Sequence, residues 1–557
     1  MSRSSDDQLL FLPLGGAGEI GMNLNLYGYG PEGDERWMMV DLGVTFGNPG
    51  SPVDVMMPDP AFIEDRLHQL DGIVLTHGHE DHLGAVPYLW HRFRKPVFAT
   101  PFTAALLRRK MGEAGFPKDL DLTEVPLSGS FRVGPFDLEL VTLTHSIPEP
   151  NAILIRTPKG TVVHTGDWKL DPDPVVGETA DENRLAQAGE EGVLAIVCDS
   201  TNVFQPGEAG SEADLLEPLT ELIAEQPNRV IITCFASNLA RLETIAKAAR
   251  ANDRDVILAG RSLWRITEVA RETGYLKGVP DFLTEHDAGY IPREKTLIIC
   301  TGSQGEPRAA LAKLASAEHP RIDLERGDTV IFSSREIPGN ETSIATMQNR
   351  LIQRGIKVVT DRDLSPDKAI HVSGHPCRDE LARMYAHVRP RVAVPVHGEA
   401  RHLVEHAKLA AACQVPSTVV AQNGSMVRLD GGEPGIVDEV HAGRLALDGN
   451  QLIAIDSDAM RERRRALFNG VVVASLVVDK DGRLELEPQI TLQGLPGDPD
   501  DLEDECLDII EDCVERLPRV SARNDESLSE AVRIALRRHI RTLVAKRPYI
   551  EVQLFRL

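Results

Sequence analysis

An apolar run, Ile73-Val74-Leu75, is followed within seven residues by His77, His79, Asp81 and His82, and this stretch constrains the chain more than any other. The apolar triplet reads as a buried strand. Three imidazoles and a carboxylate at its end leave many polar groups competing for partners unless they share a metal. His77 and His79, two apart in an extended segment, point to one side and can hold one ion. Leu83-Gly84-Ala85-Val86 reads as a helix start, which turns Asp81 and His82 toward a second ion. Imidazole nitrogen and carboxylate oxygen suit a borderline divalent cation such as zinc or manganese.

The His-x-His-x-Asp-His spacing resembles the metal loop of the metallo-β-lactamase superfamily. That resemblance requires further ligands downstream, each at a strand end. Leu138 to Thr144 reads as a strand that ends in His145, and Thr161 to Thr165 as one that leads to Asp167. A carboxylate such as Asp167 can span two metals, one oxygen to each. Asp41, in Val40-Asp41-Leu42-Gly43, resembles the first superfamily motif, where the aspartate supports the metal loop through hydrogen bonds.

A different motif competes for the start of the chain. Leu10-Phe11-Leu12 precedes Gly16-x-Gly18-x-x-Gly21, and Asp41 lies 20 residues beyond Gly21, as in a dinucleotide fingerprint. The fingerprint needs a helix that opens at the glycines. Met22 to Tyr27 instead alternates with period two, so these glycines are expected to turn a hairpin between antiparallel strands.

With 557 residues the chain should form two to four domains. Hydrophobic content of 42% and charged content of 26% describe a soluble globular protein, and no apolar run is long enough to span a membrane. The N-terminus, MSRSSDDQLL, has no signal pattern, and seven scattered cysteines without a CxxC pair argue for reduced thiols in the cytoplasm. A net charge of −25 argues against non-specific attraction to nucleic acid. Basic runs such as Arg108-Arg109-Lys110 and Arg463 to Arg465 read as solvated helix faces.

The fold class is α/β, with a first domain in two parts, residues 1–207 and 366–455. Residues 208–365 alternate helix-like and strand-like segments, which predicts an inserted domain with a parallel sheet. Residues 302–306 and 333–341 follow its strands, where such sheets place binding loops. Residues 456–469, short and charged, read as a linker to a small C-terminal α/β domain, 470–557, with strands at Gly470–Val478 and Leu484–Leu492, an acidic helix, a basic helix and a final strand.

Assembled, these residues resemble the β-CASP members of the superfamily, and within them the bacterial ribonuclease J family. The motifs are GGAGEIGMN, HGHEDHLGA, TGDWKLD, CDSTN, CTGSQGE, SSREIPGNE, HVSGH and VHGE, spread nearly end to end. The resemblance implies an αββα sandwich with an inserted β-CASP domain. It places Asp199, His375 and His397 at the three β-CASP motifs, Asp199 as support. A histidine at the last of these favours RNA over DNA and completes the second metal site. The implied cofactors are two divalent ions, zinc before manganese or magnesium, one held by His77, His79, His145 and Asp167, the other by Asp81, His82, Asp167 and His397. Asp81 and His375 are the expected catalytic residues. His375 would lie near the scissile phosphate as proton donor or phosphate ligand, with His371, Ser373 and Gly374, and Phe235 and Ser237 from the insert, around a 5′-phosphate pocket. The implied activity is 5′ to 3′ exonuclease action on monophosphorylated RNA, with internal cleavage, in rRNA processing and mRNA decay. The implied partners are RNA, a homodimer or homotetramer, and an RNA-decay complex, with no membrane. A small-substrate hydrolase of the same metal fold and a non-catalytic RNA-binding subunit are the rival readings.

Overall fold

The computed structural model describes residues 7–557 apart from 48–52, 116–119, 338, 366–367 and 432, so the polar start of the chain and Pro338 of the 333–341 loop lie outside the described residues. Two sheets face each other. The first runs Gly435–Glu439, Ser425–Arg428, Asp7–Gly15, Leu24–Pro31, Arg36–Val40, Leu70–Val74, Val97–Ala99, Leu122–Glu124. The second runs Ser130–Val133, Phe136–Thr142, Asn151–Thr157, Gly160–His164, Ala195–Asp199, Val392–Val396, Ser417–Thr418.

Alternation along the strands creates the core. Leu9, Phe11, Met38 and Val74 of the first sheet meet Leu140, Ile153, Val197 and Val394 of the second, all buried. Burying each such side chain stabilises the fold by about 1.5–3 kcal/mol. The opposite face of the second sheet offers Leu154, Val163 and Ile196 to Leu185, Leu381 and Leu409 of the helices Glu182–Glu191, Arg378–Val388 and Ala400–Ala412. On the other side, the helix Pro101–Glu113 packs beside Val97–Ala99 and Leu122–Glu124. The result is the expected αββα sandwich.

The glycines after the first strand do turn a hairpin. Asp7–Gly15 pairs antiparallel with Leu24–Pro31, Leu12 opposite Leu26. Gly16, Gly18 and Gly21 hold φ of +85°, +89° and +93°, a region L side chains rarely adopt. A strand, not a helix, follows them, so they offer no helix N-terminus to a pyrophosphate.

Residues 208–365 hold a five-stranded sheet in the order Asp255–Ala259, Thr296–Cys300, Val230–Thr233, Thr329–Phe332, Lys357–Val359, every pair parallel. Its helices include Leu216–Ala224, Leu239–Ala251 and Arg261–Glu272. Asn238 caps the second, its side chain accepting from Arg241 N at 2.9 Å.

A second compact unit comprises Leu447–Leu557 together with Val53. The stretch expected as a linker, 456–469, is largely a helix, Asp458–Asn469. Arg, Glu, Ala and Leu all propagate helix, Met460 is fully buried, and Gly470 at φ +80° ends it. The second expected strand is shorter, Gln489–Gln493, because Leu484 makes only a single bridge, to Val478. The sheet order is Gln489–Gln493, Val471–Val478, Tyr549–Arg556. Helices Pro499–Arg516 and Asp525–Val544 cover it with Cys506, Ile510, Leu528, Val532 and Leu536. None of the seven cysteines forms a disulfide, and five are buried. No helix among the described residues is long and apolar enough to cross a membrane.

Candidate metal centre

Six strands of the facing sheets deliver the site, each at or just past its C-terminal end. Arg36–Val40 ends in Asp41, and Leu70–Val74 leads to His77 and His79. His79 sits at the N-cap of a single helical turn, Glu80–Leu83, that carries Asp81 and His82. Phe136–Thr142 leads to His145, Gly160–His164 to Asp167, Ala195–Asp199 ends in Asp199, and Val392–Val396 leads to His397.

The loops converge on Asp167. His79 Nδ1 lies 3.1 Å from His77 Nε2 and 3.0 Å from His145 Nε2. Asp167 Oδ2 stands 3.9 Å from His77 Nε2 and 3.8 Å from His145 Nε2. On its other side it is 3.1 Å from His82 Nε2, while Oδ1 is 2.9 Å from His397 Nδ1. Asp81 Oδ2 lies 3.5 Å from both His82 Nε2 and His397 Nε2. One potential ligand atom from each of His77, His79, His145 and Asp167 falls within 4.8 Å of the others, and the same holds for Asp81, His82, Asp167 and His397.

The donor set fits a divalent ion in each group. Burial drives His77 and His79 well below the ordinary imidazole range and His145 down to about 3, so the first group presents uncharged nitrogens. Three uncharged imidazoles whose nitrogens converge on one point suit a cation. In the second group burial opposes charge on His82, but Asp167, Asp81 and Asp41 outweigh it and raise its pKa. His397 is pushed up to about 9: burial opposes, and Asp167 prevails. The carboxylates that raise both values are the negative charge a divalent ion in this group would offset. His397 Nδ1 is buried and makes no hydrogen bond, its 2.9 Å approach to Asp167 being misaligned for one.

Outer contacts orient the rings. Asp41, at φ +64°, accepts from Thr76 N at 2.8 Å and from His82 Nδ1 at 2.7 Å. Thr76 Oγ1 sits 3.0 Å from His77 Nδ1, and His145 Nδ1 donates to Gly374 O at 2.5 Å. Each ring thereby turns Nε2 toward the cluster. His375 Nδ1 donates to Asp199 Oδ2 at 2.7 Å and stands 4.0 Å from Asp167 Oδ2.

The residues expected around a phosphate divide. Ser373 Oγ accepts from Asn202 Nδ2 at 2.7 Å and from His375 N at 3.2 Å. Gly374 faces His145 through its carbonyl. His371 Nδ1 lies 3.5 Å from Arg241 Nη1, and burial holds its pKa well down. Phe235 and Ser237 sit half-buried on the turn before the helix that carries Arg241; among the described residues no hydrogen bond joins either to Ser373 or His371.

Sequence reasoning missed Asn23, which donates from Nδ2 to Asp81 O at 3.0 Å and lies 3.1 Å from His82 Nε2. It also missed Thr76, Asn202 and Arg241. Asn23 and Asn202 end the motifs GGAGEIGMN and CDSTN, which was the available signal.

Comparison with known proteins agrees in order and extent. Residues 36–186 match the β-lactamase superfamily domain and 227–351 the ribonuclease J β-CASP domain. Residues 368–416 match the Zn-dependent metallo-hydrolase RNA specificity domain and 458–557 the ribonuclease J C-terminal domain. A ribonuclease J of Sinorhizobium meliloti is 45% identical over 99% of this chain and 97% of its own length. One of Mycolicibacterium smegmatis is 38% identical over 96% and 95%. A solved protein of unknown function from Enterococcus faecalis V583 shares the fold at 17% identity, with a TM-score of 0.51 over 76% of this chain and all of its own. A full-length match at this identity, on a chain that carries the two ligand groups around Asp167, establishes that the chain belongs to the ribonuclease J family.

Proposed function

We propose that the chain is a two-metal ribonuclease that removes nucleotides from the 5′-monophosphate end of RNA, with internal cleavage as a second mode. The observation that carries this reading is Asp167 between two donor groups, with the His375–Asp199 pair beside it. His77, His79, His145 and Asp167 would hold one ion, and Asp81, His82, Asp167 and His397 the second, zinc before manganese or magnesium. Bound there, the ions would supply Lewis-acid activation of water and offset charge on the phosphoryl group.

The chain's own residues divide the remaining work. Asp41, Thr76 and Gly374 O fix the rings of His82, His77 and His145. Asp199 holds Nδ1 of His375, which leaves Nε2 to present a proton to a phosphate oxygen or leaving oxygen. Asp81, 30% exposed at its side chain, is the catalytic carboxylate on the open side. Ser373 Oγ already accepts two hydrogen bonds, so its own O–H is free to donate to a terminal phosphate, with the Gly374 amide and His371. Phe235 and Ser237 border that pocket from the insert. Cytoplasmic location, a homodimer or homotetramer and a place in an RNA-decay complex belong to the same proposal. Phe555 and Leu557, 57% and 71% exposed on the C-terminal unit, support assembly.

The test is cleavage of 5′-monophosphate and 5′-triphosphate RNA with manganese, zinc or chelator, by wild type and His77→Ala. Mononucleotides released from the monophosphate RNA alone, and lost with chelator and in the variant, are expected. Cleavage indifferent to the 5′ end would make the enzyme an endonuclease. Hydrolysis of a simple ester with none of RNA would overturn the reading.

A further inference from the structure

A cleft of about 450 Å³ lies between the helices Pro101–Glu113 and Arg261–Glu272. That volume is within the roughly 300–1,000 Å³ of small-ligand sites. Arg109, Gly112 and Glu113 line one wall, Arg261, Trp264 and Arg265 the other. Arg109 pairs with Glu268 at 2.5 Å and Glu272 at 3.1 Å, and Arg265 with Glu113 at 2.7 Å. Arg261 is exposed and has no carboxylate partner among the described residues, so it is the unpaired guanidinium of the cleft wall. Trp264 is half-buried, and its indole N–H has no acceptor among the described residues.

Gly112 is the second unusual feature. Glycine in a helix costs about 0.5–1 kcal/mol against alanine. A Cβ at Gly112 would meet nothing within 4 Å, so no neighbour requires the glycine. Its effect is to keep the cleft wall bare.

The same two helices reach the metal loop. Lys110 Nζ contacts both oxygens of Glu80 at 2.5 Å, and Arg265 Nη1 lies 3.9 Å from Glu80 Oε1. Glu80 adjoins Asp81, so the cleft opens beside the candidate site rather than on a remote face.

We propose that this cleft is a second contact for the substrate: Trp264 stacks on a base of single-stranded RNA and Arg261 pairs with a backbone phosphate. A flat aromatic face next to an unpaired guanidinium is the combination that binds single strands without sequence preference. An acidic peptide would use the guanidinium but not the indole. In a chain of net charge −25, such a local site is what holds a polyanion close to the chemistry. The inference rests on the ribonuclease reading above.

The test compares a long single-stranded RNA with a dinucleotide that cannot span from the metal site to the cleft. Trp264→Ala should raise KM for the long RNA roughly 5- to 100-fold, with kcat and dinucleotide hydrolysis unchanged. Gly112→Leu, which fills open space, should raise KM in the same way. Arg261→Gln should lower the slope of log affinity against log salt by about one. If Trp264→Ala and Gly112→Leu cleave long RNA with wild-type constants, or if both substrates suffer equally in Gly112→Leu, the cleft is not an RNA site. If the wild type cleaves neither substrate, the ribonuclease reading falls first and takes this inference with it.

Discussion

Replacing Arg241 by methionine tests how the insert is tied to the catalytic sandwich. Arg241 is fully buried and uses all three guanidinium nitrogens. Nε and Nη2 donate to Glu212 Oε2 and Oε1, each at 3.0 Å. Nη1 donates to Ser333 O at 2.8 Å, Ser333 Oγ at 2.7 Å and Ile370 O at 3.2 Å. These bonds join the helix Leu239–Ala251, the end of the strand Thr329–Phe332 and the segment that leads into His371–His375. Methionine fills the space but leaves Glu212, 3% exposed, with only Asn238 Nδ2 at 3.0 Å as a side-chain donor. A buried carboxylate stripped of its cation costs about 3–5 kcal/mol. Removing both charges, in Arg241→Met with Glu212→Leu, abolishes the unpaired charge, and isosteric apolar replacement of such pairs is often neutral. The double variant should therefore recover at least half of the loss. The assay is denaturant unfolding of wild type, both single variants and the double variant, read as a double-mutant cycle. A single-variant cost below about 1 kcal/mol would refute the reasoning, as would a double variant no more stable than Arg241→Met.

Three further outcomes follow from the site and its surroundings. Asp41→Asn replaces the carboxylate that holds His82 Nδ1 and should weaken metal affinity about 10- to 100-fold by calorimetry, with unchanged far-ultraviolet circular dichroism; wild-type affinity would remove Asp41 from its supporting role. Ser373→Ala should reduce the preference for monophosphate over triphosphate ends more than it reduces internal cleavage, and equal loss of both would sink the pocket assignment. Glu139, hydrogen-bonded by Arg184 at 2.5 Å and Arg156 at 2.6 Å, has its pKa lowered from 4.5, first by the Arg184 bond, so its stabilisation is complete above the unfolded value and is lost as pH falls through the folded one. Thermal melts should show Glu139→Gln less stable than wild type near neutral pH, with the gap closing on acidification below 4.5; a gap that widens in acid would contradict the sign.

The residues that the structure gathers around Asp167 were legible because each is a local event: an apolar strand run followed at once by a histidine or aspartate, as at Leu75 to His77 or Val163 to Asp167. The hairpin was legible for the same reason, since the period-two pattern of Met22–Tyr27 outweighs the glycine motif before it. What periodicity does not encode is which loops meet. Asn23 reaches His82 across 59 residues and Asn202 reaches Ser373 across 171, and although each ends a motif, no periodicity around it names the partner. Arg241, in a helix that reads as ordinary, spends its charge on Glu212 and on carbonyls from two other segments. The helix Asp458–Asn469 shows two readings of one stretch in conflict: its arginines read as a solvated helix face, but a short charged segment between apolar-patterned regions reads as a linker, and arginine's helix propensity, close to that of alanine, decides it.

The proposed phosphate pocket and the candidate metal site share one loop, and Gly374 is where they join. Its carbonyl accepts the 2.5 Å bond from His145 Nδ1 that turns Nε2 of that ring toward His79. A Cβ at Gly374 would stand 2.8 Å from Ser146 Oγ, 2.9 Å from His145 Cε1 and 2.9 Å from His145 Nδ1, closer than real Cβ contacts come. Ser146 can rotate away, but the His145 ring is held in the cluster and cannot retreat without moving its Nε2. Gly374→Ala, a change outside the proposed ligand set, should therefore weaken metal binding about 10- to 100-fold, the range seen when outer partners of metal-bound histidines are lost. Metal content by mass spectrometry after dialysis against graded chelator measures this directly. Native retention of metal together with lost monophosphate preference would mean that the loop yields around the methyl group and that pocket and metal site vary independently. Loss of metal first would mean that the geometry of the pocket loop sets the geometry of the ligand, so that neither can change alone.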